Sequence, residues 1–344
     1  MLGRGREHAG YAGRECGTGA GDGERALLDR IRALLPAAPP GAVWAGDDTA
    51  VLAGDRGPLL LTTDVAVAAV HADLELVGVD DLGWKAVVAS VSDIAAMGGQ
   101  PLAAVVALSA PPDCDVERAM VGVAAAAQAY GCPVVGGDLS NAPVLSIAST
   151  VLGTAGGRSP VLRSGARAGD TVFVTGPTGA SAAGLAALRA GDAGRDVTAP
   201  DDEPTVVGGG RIPAALVAAI AAHRRPMARV AEGRAARAAG ATAMIDVSDG
   251  LARDVDNLAT ASGVGLVLDR VAVAPGADVD QALGGGEDYE LVFTAPDAEA
   301  VRLAFGDAGL RDPIALGSCT GDPGSRMLAG RPLPLSGYAH RFGR

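Results

Sequence analysis

Acidic residues recur beside glycine, serine and threonine near the ends of predicted strands, and they are the side chains most able to do chemistry. The segments are Gly46-Asp47-Asp48, Thr62-Thr63-Asp64, Ser92-Asp93, Gly136-Gly137-Asp138, Asp246-Val247-Ser248-Asp249-Gly250 and Gly284-Gly285-Gly286-Glu287-Asp288-Tyr289-Glu290. In isolation, aspartate beside glycine is typical of a turn or a helix cap. Asp93 differs, because it lies within a predicted helix on a face of small residues, where it has no capping role. The joint pattern favours a carboxylate cluster.

Several carboxylates brought together need cations, because unpaired buried charge is costly. The candidate ligands are all oxygen, with no cluster of histidine or cysteine beside them, and oxygen-only sites select hard cations such as Mg²⁺. Several Mg²⁺ ions can bridge phosphate oxygens and neutralise the charge that develops in phosphoryl transfer. The sequence therefore indicates phosphate chemistry assisted by magnesium.

The two best-known lysine-based ways of binding nucleotide phosphates are absent from the sequence. Lys85 is the only lysine among the 28 Lys and Arg residues, so no P-loop triplet exists. Lys85 also lies in a predicted helix, whereas a protein kinase needs its lysine on a strand.

The loop from Thr175 to Ser181 precedes a predicted helix and could hold an anion at the helix N-terminus, although an ordinary strand-to-helix turn explains it equally well. Ser248 has no histidine base nearby in sequence, so we favour a phosphate contact over a nucleophile.

The composition excludes several function classes. The chain has 344 residues, with 40 acidic against 28 basic side chains and a net charge of −12, which argues against nucleic acid as a partner. Hydrophobic residues make up 49%, so disorder throughout is excluded. The four cysteines form no C-x-x-C pair, and no secretory signal or membrane-spanning run is evident. These features predict a cytoplasmic protein with reduced thiols, no structural zinc and no membrane partner.

Helices and strands alternate in two halves, and these elements must position the candidate residues. We predict a disordered extension over residues 1–24, an N-terminal domain over 25–157 and a C-terminal domain over 158–344. The first domain is predicted to contain helix 25–36, strand 59–67, helix 80–98, strand 105–109, helix 116–130, strand 133–138 and strand 144–154. The second is predicted to contain strand 171–175, helix 181–190, a loop over 191–210, helices to 239, strand 242–245, helix 251–261, strands near 265–271 and 290–294, and a short tail rich in proline and glycine. Because several strands are adjacent in sequence, the predicted fold class is α/β plus α+β rather than one doubly wound sheet.

The acidic segments also occur in the order of a known family. The matching motifs are Gly46–Leu52, Thr62-Thr63-Asp64 with Val70-His71, Gly83-Trp84-Lys85-Ala86 leading to Ser92–Gly98, Gly136-Gly137-Asp138, Thr171–Gly176, Ile245–Leu251 and Gly285–Leu291. Together they resemble the thiamine-monophosphate kinase family of the aminoimidazole ribonucleotide synthetase superfamily, from about Arg25 to Tyr338. The last two motifs are the specific part of the resemblance, whereas Gly-Asp-Asp is shared across the superfamily.

The resemblance implies a fold and a reaction. The fold would be the two-domain aminoimidazole ribonucleotide synthetase-like fold, whose N-terminal domain binds ATP and Mg²⁺ and pairs its strands with a second copy in a dimeric, barrel-like interface. The reaction would be phosphorylation of thiamine monophosphate by ATP to give thiamine diphosphate and ADP, with several Mg²⁺ ions. The acceptor is a phosphate monoester with a second pKa near 6. It is therefore largely ionised at neutral pH, and we expect direct in-line transfer with no catalytic base.

The resemblance also assigns residues, motif by motif. It implies Mg²⁺ ligands at Asp48, Thr62, Thr63, Asp64, Asp93, Asp138, Asp246 and Asp249. It implies ATP contacts at Gly137, Asp138, Arg163 and Ser248. It implies contacts to thiamine monophosphate at His71, Glu287 and Tyr338.

Two departures from the family pattern concern the acceptor pocket more than the metal site. Ala72 follows the histidine where the family usually has an aromatic residue, and Leu139-Ser140-Asn141 stand where it often has threonines. Two alternatives therefore stay open. One is another ATP-using member of the superfamily, such as a ribonucleotide or selenophosphate synthetase. The other is a non-catalytic sensor of thiamine phosphates.

Overall fold

A computed structural model of the chain describes residues 47–52, 57–191, 206–207, 210–211 and 213–340. The predicted extension over 1–24 and the predicted helix over 25–36 lie outside the described residues, and so does most of the predicted loop over 191–210. Within that loop the described residues form two short paired strands, Val206–Val207 and Gly210–Arg211.

Among the described residues, the first half forms a five-stranded mixed sheet with two helices. Its elements are β1 (Ala50–Leu52), β2 (Leu59–Val67), α1 (Val79–Ala96), β3 (Gln100–Ala110), α2 (Val116–Ala129), β4 (Val134–Asn141) and β5 (Ser146–Thr154). The strand order is β1-β2-β5-β3-β4, and β3 with β4 is the parallel pair. Strand β4 is the edge strand, and almost all of its residues are exposed.

The second half forms a seven-stranded mixed sheet. After β6 (Thr171–Val174) and α3 (Ala180–Ala190) come β7 and β8, the short pair already named, then α4 (Ala214–Arg224), α5 (Val230–Ala238), β9 (Ala243–Asp246), α6 (Leu251–Ser262), β10 (Gly265–Leu268), α7 (Val279–Gly284), β11 (Leu291–Ala295), α8 (Ala298–Asp307), β12 (Ile314–Thr320), β13 (Arg326–Leu328) and β14 (Arg331–Pro332). The strand order is β14-β13-β10-β12-β6-β11-β9, and β10 with β13 is a parallel pair.

The prediction of a short tail after residue 294 is wrong, because this segment contains a helix and three strands. Strand β12 lies between β10 and β6, near the middle of the second sheet. Its sequence, Ile-Ala-Leu-Gly-Ser-Cys-Thr, is short and contains glycine, so pairing with distant strands decides its conformation. The mixed sheets agree with the predicted fold class, whereas a domain boundary within residues 158–170 stays a prediction.

Helix α1 is the element that joins the two halves. It packs on β2 and β5 of the first sheet and on β9 and α5 of the second half. Fourteen of its 18 residues are buried, which is the pattern of a helix enclosed on nearly all sides. Any functional side chain on α1 is therefore held rigidly between the two halves.

Glycines allow the neighbouring helices to approach α1 closely. A Cβ atom on Gly83 of α1 would lie 2.1 Å from the carbonyl oxygen of Ala119 on α2, and one on Gly233 of α5 would lie 2.1 Å from the carbonyl oxygen of Ala95. Both separations are far below van der Waals contact, so only glycine fits at these crossings. The apolar core is continuous across this junction, where Ala95 and Ala96 join a cluster that includes Phe293.

The first sheet has one face under α1 and one open face. The open face carries apolar side chains, of which Val65 and Val105 are 50% and 43% exposed. Leu139 on the edge strand β4 is 67% exposed. Within the described ranges, no helix combines the length and the hydropathy that crossing a membrane requires.

Candidate active site

Three aspartates from three separate elements converge on one point. Asp48 precedes β1, Asp93 lies on α1 and Asp246 ends β9. One carboxylate oxygen from each lies within 4.8 Å of the others. Residues distant in sequence and contributed by both halves thus form the carboxylate cluster that the acidic segments predicted.

Neighbouring hydroxyl groups orient the carboxylates. Thr62 Oγ1 donates a hydrogen bond of 2.5 Å to Asp93 Oδ2, and Ser92 Oγ donates one of 2.6 Å to Asp246 Oδ2. Asp64 receives a hydrogen bond of 3.1 Å from Ser90 Oγ. Ser90 points toward the first sheet and Ser92 toward β9, so α1 orients acids from both halves.

The cluster is electrostatically unfavourable without a cation. Burial, together with the negative charges of Asp64, Asp246 and Asp48, raises the pKa of Asp93 well above its usual range. Burial and the charge of Asp48 likewise raise the pKa of Asp246 to about 8. A carboxylate prefers its neutral form in such surroundings unless an opposite charge compensates.

The donor set fits a hard divalent cation. All the ligand atoms are carboxylate oxygens, and Asp48 Oδ2 is buried with no hydrogen-bond partner among the described residues. An unsatisfied buried oxygen of this kind calls for a partner. Mg²⁺ prefers such oxygens, and a bound cation would remove the repulsion that raises the pKa values.

Arg163 lies against this cluster. Its guanidinium NH2 contacts Asp48 Oδ1 at 2.6 Å, and its backbone N–H donates to both carboxylate oxygens of Asp47 at 3.1 Å. The connector that carries Arg163 is thereby tied to the start of the first sheet.

Two residues of the cluster, Asp93 and Asp246, line a cavity of about 310 Å³. The opposite parts of the lining come from the first half and from the glycine-rich loop before β11. The predicted site residues on this lining are Asp64, His71, Asp93, Asp246, Ser248, Asp249, Glu287 and Tyr338. The structure therefore brings the residues predicted for the acceptor to the same cavity as four of the eight residues predicted for the metal.

Two predicted metal residues are not brought to the cluster by their side chains. Thr63 lies on the open face of the first sheet, where its hydroxyl contacts Thr150 Oγ1 at 2.9 Å, because successive strand residues point to opposite faces. Asp138 is paired in register with Ala107, also on the open face. Its strand is separated from β2 by two others, a distance of about 14 Å. Gly137, predicted to contact ATP, lies beside it on the exposed edge strand.

The loop from Thr175 to Ser181 holds an anion, but the anion is part of the protein. The carboxylate of Asp288 accepts hydrogen bonds from Gly179 N at 2.6 Å and from Ser181 N at 3.2 Å, at the start of α3. In the same way, Asp254 accepts bonds of 3.1 Å from Asp249 N and Gly250 N at the start of α6. The N-terminus of α3, where the 175–181 loop could have held a phosphate, is therefore occupied by a carboxylate of the protein itself.

Sequence reasoning missed two residues on the cavity lining. Lys85 contacts Glu287 Oε2 at 2.8 Å. The ring of His340 lies 4.9 Å from that of Tyr338 and 5.9 Å from that of His71. The sequence did contain a signal for Lys85, because it is a lone lysine on the buried side of a predicted helix. Nothing in the sequence around His340 indicated that this histidine lines the cavity.

Comparison with known proteins identifies the family. Residues 46–155 match the N-terminal domain of AIR synthase related proteins, and residues 167–329 match the C-terminal domain. The thiamine-monophosphate kinase of Corynebacterium glutamicum is 36% identical over 304 residues, covering 83% of this chain and 84% of that relative. The enzyme of the same name from Halobacterium salinarum is 38% identical over 293 residues, covering 82% and 88%.

A solved structure agrees with these matches. The structure of AaThiL complexed with AMPPCP and TMP has a TM-score of 0.75 and 31% sequence identity, and the match covers 96% of this chain and 100% of that one. Sequence and structure thus agree over most of the length of both proteins. The chain belongs to the thiamine-monophosphate kinase family, within the AIR synthase-related superfamily.

Proposed function

We propose that the chain transfers the γ-phosphoryl group of ATP to the phosphate of thiamine monophosphate, giving thiamine diphosphate and ADP. The observation that carries the proposal is the cluster of Asp48, Asp93 and Asp246, two of which line a cavity large enough for a small organic ligand. The activities named for the relatives support the same substrates.

The chain's own acids would hold Mg²⁺. Asp48, Asp93 and Asp246 form the centre of this proposed site, with Asp64 and Asp249 on the adjacent cavity lining. Bound Mg²⁺ would neutralise phosphate charge during transfer. Thr62 would contribute by holding Asp93 through its hydroxyl, and any part played by Thr63 would come through its backbone.

The acceptor would occupy the part of the cavity lined by His71, Glu287 and Tyr338. Its phosphate has a second pKa near 6, so an ionised oxygen is available at neutral pH. The chain therefore needs to orient the acceptor and exclude water rather than remove a proton, and the transfer would be direct and in line. Ser248 on the cavity lining and Arg163 beside the cluster would contact the phosphates of ATP, and their positions support this role.

We also propose that the open face of the first sheet pairs with a second copy of this chain. Val65 and Val105 present exposed apolar surface there, and Leu139 is exposed on the neighbouring edge strand β4. An apolar patch on a sheet face with an open edge strand is typical of an interface. Such pairing would form the barrel-like interface expected for the domain 25–157, with 158–344 as the second domain. Gly137 and Asp138 lie on this edge, so their contacts to ATP or Mg²⁺ would be made in the assembled dimer.

The test is product analysis after the purified protein is mixed with thiamine monophosphate, ATP and Mg²⁺. We expect thiamine diphosphate and ADP in equal amounts and no phosphorylation of free thiamine. Binding of thiamine monophosphate without ADP release would instead favour a sensor. Absence of both would contradict the acceptor and favour another substrate of the superfamily.

A further inference from the structure

Lys85 is a buried cation placed directly behind the acceptor part of the cavity. Its side chain is only 2% exposed, and its ammonium group lies 2.8 Å from Glu287 Oε2 and 3.3 Å from the backbone carbonyl oxygen of His71. Both partners belong to residues that line the cavity. A buried ammonium group is costly unless it is paired and hydrogen-bonded, and these two contacts provide that compensation.

Glu287 lies in a loop with an unusual backbone. Glu287 and Tyr289 have φ values of 55° and 50°, in the left-handed region that non-glycine residues rarely adopt. The loop is held by hydrogen bonds from Glu287 N to Ser248 O at 2.8 Å and from Tyr289 N to Val247 O at 2.9 Å. Strained backbone of this kind persists where the surroundings over-determine it, and it is common at binding sites.

The two contacts of the Glu287 side chain with basic side chains are both made by one carboxylate oxygen, Oε2. Lys85 Nζ and His223 Nδ1 both approach Oε2, at 2.8 and 3.8 Å. Burial and the nearby charge of Lys85 lower the pKa of His223 to about 3, so His223 is neutral and Lys85 is the cation of the pair. The glutamate side chain is 26% exposed, and it faces the cavity.

We propose that Lys85 is a positioning residue, which anchors Glu287 by one oxygen and thereby aims its carboxylate at the cationic ring of the acceptor. The inference rests on the proposed function, because it takes thiamine monophosphate as the ligand. It assigns Lys85 no contact with ATP. It also makes α1 a connection between the metal site, through Asp93, and the acceptor site, through Lys85.

The test compares Lys85→Met, Glu287→Gln and the double variant by steady-state kinetics. Lys85→Met keeps the length of the side chain and removes its charge. We expect each single variant to raise the KM for thiamine monophosphate by at least about tenfold, the size of a lost charge-assisted hydrogen bond. The KM for ATP should stay within about twofold. The double variant should resemble Glu287→Gln alone, because the two residues act as one unit.

A matched control removes another cation at the same junction, one that is paired with a buried carboxylate. Arg229 contacts Glu290 Oε1 at 2.7 Å, and neither residue lines the cavity as the described residues define it. Arg229→Met should lower the melting temperature and leave both KM values unchanged. Equal changes in KM for Lys85→Met and Arg229→Met would overturn the inference, because they would indicate a merely structural role.

The remaining outcomes are also decisive. An unchanged KM for thiamine monophosphate in Lys85→Met, or effects of the two single variants that multiply, would contradict positioning through Glu287. If Lys85→Met does not fold, the double variant is compared with Glu287→Gln instead. The double variant has lost both charges of the pair, so it contains no unpaired buried charge. If the wild type binds thiamine monophosphate without phosphorylating it, the proposed function fails, and calorimetric affinities of the same variants test the inference. A wild type that neither binds nor phosphorylates it overturns both.

Discussion

Asp48, Asp93 and Asp246 repel one another in the metal-free protein, and this repulsion has a measurable pH dependence. Burial and Asp48 raise the pKa of Asp246 from 3.8 to about 8 in the folded chain. Between about pH 4 and pH 8 the folded state therefore binds more protons than the unfolded state, so the free energy of unfolding falls as the pH rises. Mg²⁺ binds the ionised form, so its stabilising effect should be greatest at the upper end of this range.

We therefore predict that the melting temperature without metal falls by at least about 3 °C between pH 5 and pH 8, which corresponds to roughly 1 kcal/mol. Saturating Mg²⁺ should remove most of this fall, and Asp246→Asn should flatten it without metal. Differential scanning calorimetry at the two pH values measures all three. A metal-free protein whose stability rises over this range would contradict the account of the cluster.

Asp93 is the residue whose role in turnover is easiest to isolate. Asp93→Asn keeps the shape of the side chain but removes a ligand charge, so turnover at saturating Mg²⁺ should fall by at least about 100-fold, as expected for lost charge stabilisation in the transition state. Asp170→Asn is the control, since Asp170 is also a buried aspartate and accepts a 2.6 Å hydrogen bond from Thr242 away from the cavity. It should lower stability and keep turnover. Wild-type turnover in Asp93→Asn would show that the cluster idea is wrong at this position.

At the level of elements, the close crossing of α1 and α5 at the junction between the two halves requires a glycine at position 233. A Cβ atom on Gly233 would lie 2.1 Å from Ala95 O. Gly233→Ala should therefore destabilise the protein by about 1–3 kcal/mol, the usual cost of overpacking. Gly306 on α8 has nothing within 4 Å of the same added atom. Gly306→Ala should stabilise by roughly 0.5–1 kcal/mol through helix propensity.

Urea unfolding of the two alanine variants measures this pair of effects. Equal stability changes at Gly233 and Gly306 would contradict the close crossing of α1 and α5. Loss of activity in Gly233→Ala is also expected, because the crossing lies beside the helix that carries Asp93.

Strong local patterns predicted the elements that carry most of the site. Strand 59–67 was predicted with its observed bounds, and helix 80–98 differs from α1 by one residue at its start and two at its end. The strands after residue 310 were missed, because their conformation depends on pairing between distant segments rather than on local periodicity. The sequence likewise identified the acids but not which face of a sheet each one occupies. Asp138 shows the difference, since its position depends on the strand order β2-β5-β3-β4.

For the whole molecule, the open face of the first sheet predicts a dimer. Val105→Asp would place a charge in the middle of that face, where Val105 is 43% exposed. We expect light scattering to give a dimer for the wild type and a monomer for this variant, because burying an unpaired carboxylate is costly. Val121→Asp is the matched control, since Val121 is 59% exposed on α2 and away from the sheet. A monomeric wild type, or dissociation by both variants, would contradict the proposed interface.

The central claim is that the γ-phosphoryl group passes directly from ATP to thiamine monophosphate beside the aspartate cluster, with no intermediate on the protein. A single-turnover reaction with ATP labelled in its γ-phosphate tests it most directly, with protein in excess over ATP and with Mg²⁺ and thiamine monophosphate saturating. We predict that all of the transferred label appears in thiamine diphosphate, with none on the protein and none as inorganic phosphate. Label that first appears on the protein, or that is released as inorganic phosphate while thiamine monophosphate is unchanged, would contradict the account.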